Sequence, residues 1–590
     1  MVDLRIYRAA FVLTLLAVLV VMFSLQERPA PLGAPIAPDA FKGDLAYSDT
    51  ARLLKLYPNR QPGSDSDNAL GSYVEQRFRA LGLETRRNSF DGEFDGSSAS
   101  MTNIEGVLNA PSDRQVVVMA PRDAAGTPGA SSASSTAVLL QIAQALDGSS
   151  RRKTFVFVSL DGSIAGNAGA RHFAETYPDR SKVDAILIVD DIGATSARRP
   201  YVVPWSTDSH RGSLQVARTA DAALARESNG SMHQDSWAAQ FLRQAWPITL
   251  RDQGPLVAQD LNAVTLTARG EVPRGKGPDT LADISGDRLQ TFGRAAFSTA
   301  LAYDGARTIR PSPQRYLVAG HKVIPDWAIA LLSVSLVLPA LIASFDAFAR
   351  ARRRRLPVGR WISWTLAGAV PFGLALALAA LLKLIGWLPD SVAEALAPAT
   401  RPSVGESLPA VLAVLACLAL AWVYVRPVFA GRTRGLALAA PPAAVALALV
   451  LSIELLLVCV VNPFTALLLV PCAHLCVLAA LPERPSRSVL AGGILVGALA
   501  LPVLALGYYG ARLDLGADPL SYAQLLIGSA TDSVWRAVLA SLLAGTLTSA
   551  AIVCLARVRV EDVDEPVTVR GPVTYAGPGS LGGTESALRR

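Results

Sequence analysis

The side chains that could do chemistry lie in the loop that follows an apolar run at residues 116–119. This loop carries two ionisable side chains, Arg122 and Asp123, and a serine-rich stretch that includes Ser131 and Ser132. A strand, an elaborate loop and then a helix is the arrangement in which α/β enzymes keep their catalytic groups. A serine nucleophile is not indicated, because the sequence has no Gly-x-Ser-x-Gly elbow and no His placed as its base. The loop therefore has the position of an active-site loop but lacks a recognisable set of catalytic residues.

The apolar pattern predicts the elements that position this loop. Buried-strand runs occur at residues 116–119, 154–159, 185–189 and 263–267. Helical patterns occur at residues 70–83, 136–146, 165–177, 210–225 and 287–303. Alternating strands and helices predict an α/β domain over residues 40–306, with a mixed, mostly parallel sheet and helices on both faces.

A polytopic α-helical membrane domain is predicted from the remaining apolar segments. An anchor is expected at residues 9–25, and seven further spans at 327–348, 361–387, 408–425, 436–460, 464–481, 489–507 and 538–556. Arginine clusters fall in alternate connections, which places the α/β domain outside the membrane and both termini in the cytoplasm. A cleaved signal peptide is the alternative for residues 9–25, but the long apolar run without a small-x-small site favours an uncleaved anchor.

This topology divides the chain into seven segments. They are a cytoplasmic N-terminus (1–8), a transmembrane anchor (9–25), a linker (26–39), the exported domain (40–306), a second linker (307–326), a seven-helix membrane domain (327–556) and a cytoplasmic disordered tail (557–590). Much of the net charge of +7 is arginine beside apolar segments, so we expect a membrane partner and no nucleic acid. All five cysteines lie in apolar segments, which leaves the exported domain without a disulfide or thiolate metal site.

Short motifs occur in order along residues 53–306. They are Asn59-Arg60-Gln61-Pro62-Gly63-Ser64, Thr102-Asn103-Ile104, Pro128-Gly129-Ala130, Asp161-Gly162, Asp190-Asp191-Ile192-Gly193 and Asp252-Gln253-Gly254-Pro255-Leu256. As an ordered set they resemble the family 28 metallopeptidases, which comprise zinc aminopeptidases and glutamate carboxypeptidase-like enzymes. The resemblance implies a zinc-exopeptidase-like fold for the exported domain and, in an active member, two zinc ions with a Glu as general base.

The metal site implied by this resemblance is degenerate. The family's ligand positions fall on Pro121, Ser131 (or Ser132, with a different loop gap), Ile164, Asp190 and Gln253, and the general base falls on Ser163. Of the five ligand positions, only Asp190 still has a side chain that can bind zinc. Asp123 matches the Asp that orients the first His ligand in the family. Pro and Ile side chains have no donor atom, so no alternative metal restores the site. We therefore expect no metal, no cofactor and no catalytic residue, and we expect Arg122, Asp123, Asp190 and Gln253 to form a binding pocket in which Arg122 pairs with Asp190.

Two ionisable residues, Glu454 and His474, stand inside predicted spans. A charged side chain within a membrane is costly and suggests function. If the two predicted spans on either side of the Asn462-Pro463 break pack antiparallel, both residues lie at a similar depth in the membrane. An interhelical hydrogen bond and a role toward a lipid or substrate both remain open. The run from Asn462 to Pro471 is also similar to a run in membrane-anchored relatives of these peptidases.

Two functions follow from these patterns. The first is a catalytically inactive, zinc-aminopeptidase-like integral membrane protein that serves as a binding or scaffold component for a polypeptide or partner protein at the outer membrane face. Its plan is similar to that of the Gaa-type subunit of the GPI transamidase. The second is an active membrane-anchored zinc-dependent exopeptidase, an aminopeptidase, whose ligands lie elsewhere than the positions assigned here.

Overall fold

The computed structural model describes residues 2–555, except 35, 38, 125–127, 233, 276–278, 397–403, 432–440 and 482–484. The predicted tail at 557–590 lies outside the described residues, as do Arg401, Arg432, Arg434 and Arg484 from the predicted connections.

Strands in the described part of the chain form a three-stranded sheet and a seven-stranded sheet. They are β1 (Gln26–Glu27), β2 (Glu84–Phe94), β3 (Ser97–Leu108), β4 (Ser112–Pro121), β5 (Lys153–Leu160), β6 (Val183–Val189), β7 (Val202–Val203), β8 (Ala263–Leu266), β9 (Tyr316–Ala319) and β10 (Lys322–Pro325). The large sheet has the order β2-β3-β5-β4-β6-β8-β7, and the small one the order β1-β10-β9. The four apolar runs predicted as strands are β4, β5, β6 and β8, which confirms that part of the prediction.

The large sheet is mixed, with its parallel strands at the centre. β5, β4, β6 and β8 pair in parallel, whereas β2, β3 and β7 pair antiparallel at the two edges. The long β2–β3 hairpin was not predicted, because β2 and the first four residues of β3 are at most half-buried, and the buried end of β3 is interrupted by Asn103 and Glu105. The parallel character is therefore confined to the strands that are buried on both faces.

The helices up to the end of the α/β domain include those that cover both faces of this sheet, while the first of them packs against the membrane-type helices instead. They are the N-terminal α1 (Leu4–Phe23), then α2 (Gly43–Leu56), α3 (Asp65–Ala80), α4 (Ala130–Leu146), α5 (Ala168–Thr176), α6 (Leu214–Glu227), α7 (Trp237–Ala245), α8 (Gln253–Ala258) and α9 (Gly286–Gly305). Successive side chains of a strand point to opposite faces. Accordingly Val116 and Val118 enter the core shared with α4 and α9, while Val117 and Met119 enter the core shared with α5 and α8.

The remaining helices form the membrane-type part of the chain. They are α10 (Asp326–Arg353), α11 (Val358–Leu366), α12 (Ala369–Leu384), α13 (Val392–Leu396), α14 (Val404–Leu420), α15 (Arg426–Ala430), α16 (Pro441–Val461), α17 (Pro463–Ala479), α18 (Arg487–Arg512), α19 (Pro519–Thr531) and α20 (Val534–Leu555). Seven described helical segments are long and apolar enough to cross a membrane, and α17 is a shorter apolar helix. These helices are consistent with a multi-pass membrane protein. The short helix α19, between the last two predicted spans, was not expected.

The two intramembrane residues singled out from the sequence make separate interhelical hydrogen bonds. The Thr546 hydroxyl on α20 donates to Glu454 Oε1 on α16 at 2.8 Å. His474 on α17 bonds through Nδ1 to the Tyr7 hydroxyl of α1 at 2.8 Å and through Nε2 to the Leu336 carbonyl of α10 at 3.0 Å. Each residue thus has the geometry of a structural hydrogen bond between helices.

The break between α16 and α17 docks the α/β domain onto the helical part. The last carbonyls of a helix have no partner within the helix. At the end of α7, the Asn462 side-chain amide donates to the Gln244 carbonyl at 2.7 Å, and the Thr465 hydroxyl donates to the Ala245 carbonyl at 2.6 Å. The Asn462-Pro463 break is therefore the cap of a helix that belongs to the α/β domain.

Helix α18 holds the residues that follow α7. The Tyr509 hydroxyl donates to the Trp246 carbonyl at 2.6 Å and accepts from the Ile248 amide at 3.1 Å. We call residues 244–248 the junction segment. Because it is held by α17 and α18 together, its position relative to the helices is fixed at both ends.

Candidate functional site

Several positions assigned to the metal site from the sequence lie at or just after the carboxyl ends of the central strands. Pro121 is the last residue of β4, Ser163 and Ile164 follow β5, and Asp190 follows β6. Ser131 lies in the first turn of α4, which begins at Ala130 and so starts six residues earlier than its predicted start at Thr136.

A guanidinium occupies the centre of this group. Arg274 Nη2 lies 2.8 Å from Asp190 Oδ2 and 2.7 Å from Asp252 Oδ2. Its Nη1 donates to the Ser163 carbonyl at 2.8 Å and to Asn167 Oδ1 at 3.0 Å. The side chain is only 11% exposed. Arg274 therefore bridges two buried carboxylates, which is the electrostatic task of a metal ion in such a pocket.

A second arginine completes the neutralisation of Asp190. Arg251 Nη1 lies 2.7 Å from Asp190 Oδ2, and its Nη2 donates to the carbonyls of Gly270 and Val272 at 2.9 and 3.0 Å. Burial alone would raise the pKa of Asp190, but Arg274 and Arg251 outweigh it and hold that pKa below its ordinary value. Asp190 is thus a buried carboxylate with two cationic partners.

The predicted pairing of Arg122 with Asp190 is wrong. Arg122 is fully buried, and its Nη2 lies 2.6 Å from Asp67 Oδ2 and 3.0 Å from Asp161 Oδ2. Its Nη1 donates to the Ser159 carbonyl at 3.1 Å. The side chain leaves the β4 end toward α3, away from Asp190. Arg122 therefore ties α3 to the sheet and takes no part in the predicted pocket.

Gln253 also points away from the predicted pocket. Its amide donates to the Trp205 carbonyl at 2.8 Å and to the Thr249 hydroxyl at 2.9 Å, and it accepts from the Thr265 hydroxyl at 2.7 Å. The neighbouring Asp252, which the ligand assignment passed over, is the residue whose carboxylate reaches Arg274, and it accepts from the Ser163 hydroxyl at 3.0 Å. Burial raises the pKa of Asp252, although Arg274 opposes that shift.

The serine positions are held by hydrogen bonds within the protein. The backbone amide and the hydroxyl of Ser131 both donate to Asp279 Oδ1 at 2.7 Å. Ser132 accepts from the buried guanidinium of Arg60 at 3.0 Å, which also donates to the Gly129 and Pro128 carbonyls. Arg60 thus stabilises the loop that leads into α4, and the hydrogen bonds of Ser131 and Ser132 stabilise the same loop.

The cavity lined by most of the positions assigned to the metal site, which we call the site cavity, is small. Its volume is about 20 Å³. Of the positions assigned from the sequence, it is lined by Pro121, Asp123, Ser131, Ser132, Ile164 and Asp190, but not by Arg122, Ser163 or Gln253. A single water needs roughly 10–15 Å³ of such space. The predicted residues are brought together, but the space between them is too small for an amino-acid side chain.

Asp123 is the remaining acid at this cavity, and it is fully buried. Its Oδ2 accepts from the Ile164 amide at 2.8 Å, while Oδ1 has no hydrogen-bond partner among the described residues. Burial, with the nearby Asp161 carboxylate, raises the pKa of Asp123 from 3.8 to about 7. In the resembled enzymes this position orients a metal-binding His; here it orients the backbone at the start of the loop after β5.

We expect Asp123→Asn to stabilise the protein at pH 8 and to have a clearly smaller effect at pH 5. A carboxyl whose pKa is raised on folding binds a proton more tightly when folded, so stability falls as pH rises from about 4 to about 7. A three-unit shift corresponds to at most about 4 kcal/mol. Thermal unfolding of the full-length protein at both pH values measures this, with the exposed Asp147→Asn as control. Equal effects of Asp123→Asn at both pH values would contradict the prediction.

The residues present do not fit a zinc ion. Among the described residues, no group of three or more His, Cys, Asp and Glu side chains could hold a metal. The two carboxylates that face each other, Asp190 and Asp252, already share the guanidinium of Arg274. A cation placed there would meet the charge of Arg274 at close range, which is unfavourable in a buried site.

Comparison with known proteins agrees with this architecture. The family model for Peptidase family M28 matches residues 103–299. Similar solved structures include the glutaminyl cyclase of Porphyromonas gingivalis, with 19% identity over 44% of this chain and 98% of that chain and a TM-score of 0.35. The zinc aminopeptidase BSAP of Bacillus subtilis has 13% identity over 48% and 100% of the two chains and a TM-score of 0.37. An aminopeptidase of Aneurinibacillus sp. strain AM-1 has 13% identity over 47% and 98% and a TM-score of 0.39. No curated protein sequence matches.

Proposed function

We propose that this chain, whose α/β domain has the M28 aminopeptidase-like fold, is a catalytically inactive peptidase-like membrane protein. We infer that it serves as a binding or scaffold component for a polypeptide or partner protein at the outer membrane face. The observation that carries this proposal is the Arg274 guanidinium between Asp190 and Asp252. Metallopeptidase chemistry needs a metal-activated water and a general base, and the assigned base position is Ser163.

The small volume of the site cavity supports a binding role elsewhere on the domain. A volume of about 20 Å³ excludes the residue side chain that an aminopeptidase must admit. An active enzyme would keep an open position beside its metal. The retained fold therefore provides a surface rather than a cleft, and a partner would contact its outer loops.

The helix ends support an outer position for the α/β domain. The start of α17, the end of α18 and the start of α20 all contact this domain, the last through Arg536 Nη2 and the Thr207 carbonyl at 3.2 Å. The arginine-rich end of α10, at Arg350–Arg353, is the opposite end of the helix that starts next to the domain. By the positive-inside rule the arginine end is cytoplasmic, so the domain is outside.

We expect topology reporters to follow this arrangement. A reporter fused after Arg360 or after Arg434 should be cytoplasmic, and one after Arg401 should be external, because the basic and acidic connections alternate. Alkaline phosphatase and green fluorescent protein fusions to the full preceding chain report the two sides. An external reporter after Arg360 would contradict the eight-span arrangement.

The N-terminal helix is expected to remain in the mature protein. Thr14 on α1 donates to the Ser335 carbonyl of α10 at 2.8 Å, and Tyr7 bonds to His474 of α17. Removing α1 would uncover these groups within the bundle. This contact supports an uncleaved anchor over a signal peptide.

Metal content and hydrolysis test the proposed inactivity. We expect the full-length protein, purified in detergent and incubated with zinc, to hold no stoichiometric zinc by elemental analysis and to leave aminoacyl-p-nitroanilides uncleaved. An active exopeptidase with displaced ligands would retain one or two zinc ions per chain and lose activity with chelator. Stoichiometric zinc in the purified protein, or hydrolysis that a chelator abolishes, would overturn the proposal that the protein is inactive.

The scaffold role is tested separately in the native membrane. Cross-linking of the full-length chain should give a discrete adduct with another polypeptide, and the adduct should persist in Ser163→Ala, which alters the assigned base position. An inactive protein that forms no adduct would refute the scaffold role while leaving the inactivity intact.

A further inference from the structure

A larger cavity lies between the α/β domain and the membrane-type helices, and we call it the interface cavity. Its volume is about 480 Å³, within the range of roughly 300–1,000 Å³ typical of small-molecule sites. Four helices, α16, α17, α18 and α20, form one end of it. Residues 208–210, residues 245–247 and Arg315 form the other end.

The helical end of the interface cavity is apolar and has the depth of one membrane leaflet. Leu469, Leu501, Leu539 and Leu543 line it. On α20 the lining extends from Arg536 to Leu547, a rise of roughly 16 Å along the helix axis. The hydrocarbon core of a bilayer is about 30 Å thick, so this is about half of it. An extended acyl chain matches both the depth and the chemistry of this end.

The other end carries buried N–H donors that lack acceptors. Arg315 Nε and Trp246 Nε1 are both buried and have no hydrogen-bond partner among the described residues. No described ion pair involves the Arg315 side chain. A buried donor without an acceptor is unfavourable. A third buried atom without a hydrogen bond, His210 Nδ1, lies 3.1 Å from Asp208 Oδ2. Arg315 Nε and Trp246 Nε1 can only donate, so the group that would satisfy them is rich in acceptor oxygens, as a phosphate or an ester is.

Further charges surround this polar end. Arg536 is paired with Asp532 at 2.7 Å and is held by the Thr207 carbonyl. His210 Nδ1 lies 3.1 Å from Asp208 Oδ2 and 3.9 Å from Asp260 Oδ1. Asp208 also accepts from the Ser206 hydroxyl and the His210 amide, and Asp260 accepts from the Gln314 side chain. No ion pair among the described residues joins Arg315 to any of these acids, so Arg315 is the guanidinium that can bind an anionic group.

We propose that the interface cavity binds one phosphate-bearing lipid, with its phosphate on Arg315 and an acyl chain among α16, α17, α18 and α20. The side chains of a partner's apolar helix would fill the apolar end but would supply no acceptor for the two orphan donors. A lipid satisfies both ends at once. This inference goes beyond the scaffold role and does not depend on the metal site.

The site would influence the α/β domain through the junction segment. Ala245 and Trp246 line the interface cavity, and Arg251 and Asp252 of the degenerate metal site follow within a few residues. The occupant of the interface cavity therefore contacts the stretch of chain that leads to the paired charges around Asp190.

Native mass spectrometry of the full-length protein in detergent tests the proposal with three probes. They are phosphatidylglycerol, diacylglycerol with the same chains, and glycerol phosphate. We expect one phosphatidylglycerol per chain, bound on the order of tenfold tighter than diacylglycerol because a charged hydrogen bond is lost in the latter. Glycerol phosphate, which lacks the chains, should bind at least tenfold more weakly than phosphatidylglycerol.

Three variants locate the site. Arg315→Gln should lower phosphatidylglycerol affinity about tenfold and leave diacylglycerol binding unchanged. Ala498→Phe, which fills the apolar end, should weaken both lipids. Val496→Phe is the matched control, because Val496 lies on the same helix but is 70% exposed outside the cavity. Because Arg315→Gln leaves the helix packing unaltered, it tests the proposal even where Ala498→Phe misfolds.

Several outcomes would overturn the proposal. Equal affinity for phosphatidylglycerol and diacylglycerol in the wild type would remove the role of the phosphate. Glycerol phosphate binding as tightly as the lipid would make this a site for free phosphate. Unchanged lipid binding in both Arg315→Gln and a folded Ala498→Phe would place the lipid elsewhere, and a co-purified peptide in the cavity would identify a protein occupant instead.

Discussion

Replacing Arg274 with methionine is expected to lower the free energy of unfolding by about 3–5 kcal/mol, the usual cost of removing one partner from a buried ion pair. Asp252 is fully buried and would lose its described cationic partner, while Asp190 would keep only Arg251. The corresponding fall in the midpoint of thermal unfolding is roughly 10 °C for a domain of this size. Intrinsic fluorescence of the full-length protein in detergent measures it.

The pH dependence and a second substitution separate this electrostatic effect from lost packing. The destabilisation should shrink as the pH falls, because protonation removes the negative charge of Asp190 and Asp252, the two buried acids that lose Arg274. Adding Asp252→Asn to Arg274→Met should recover much of the loss, and Arg171→Met, at an exposed arginine, should have little effect. A loss that is independent of pH and is not relieved by Asp252→Asn would show that Arg274 acts through packing alone.

Zinc binding is expected to return only when Arg274 is removed. The changes Pro121→His, Ser131→Asp, Ser163→Glu, Ile164→Glu and Gln253→His restore the ligand types of the resembled enzymes. With Arg274 in place we expect no measurable uptake, because the guanidinium already bridges Asp190 and Asp252 and repels a second cation. Adding Arg274→Ala should raise zinc affinity at least 100-fold, as measured by isothermal titration.

The variant with the five ligand changes (the five-site variant) is compared with the variant that also carries Arg274→Ala (the six-site variant). Zinc uptake by one and not the other separates the role of Arg274 from the choice of ligand positions. Circular dichroism must first show that both variants are folded. Zinc binding by the five-site variant, in which Arg274 is still present, would mean that zinc displaces Arg274 easily and that Arg274 does not take the place of the metal. A folded six-site variant without uptake would mean that the ligand positions assigned from the sequence are wrong, with Gln253, whose side chain faces Trp205, the first to reconsider.

The central strands could be predicted from the sequence because they are buried on both faces. A strand such as β6, whose seven residues are all buried, contains after Asp184 a continuous apolar run at residues 185–189. The β2–β3 hairpin lacks that signal, since β2 is nowhere fully buried and the buried end of β3 contains Asn103 and Glu105. The early start of α4 was missed because the serines of its first turn read as loop residues, and these serines hydrogen-bond back to the Ser131 carbonyl within the helix.

The degenerate positions could be predicted, but their electrostatic replacement could not. Order along the chain was enough to bring Pro121, Ser131, Ile164 and Asp190 to one cavity. Arg274 follows β8 in a segment without a motif, and nothing in its neighbours indicates that it folds back onto Asp190. The direction of the Arg122 side chain is likewise set by Asp67, which is 55 residues earlier. Long-range charge pairing leaves no local pattern in a sequence.

The junction segment has a consequence for the order in which the chain is made. Residues 244–248 leave the ribosome long before Asn462, Thr465 and Tyr509, the side chains that satisfy their backbone groups. Proteins generally fold from the N-terminal end during synthesis. Here the end of α7 has to wait, with open carbonyls, until α17 and α18 have been inserted. A chain that stops before residue 462 would therefore leave these carbonyls at the end of α7 without their partners.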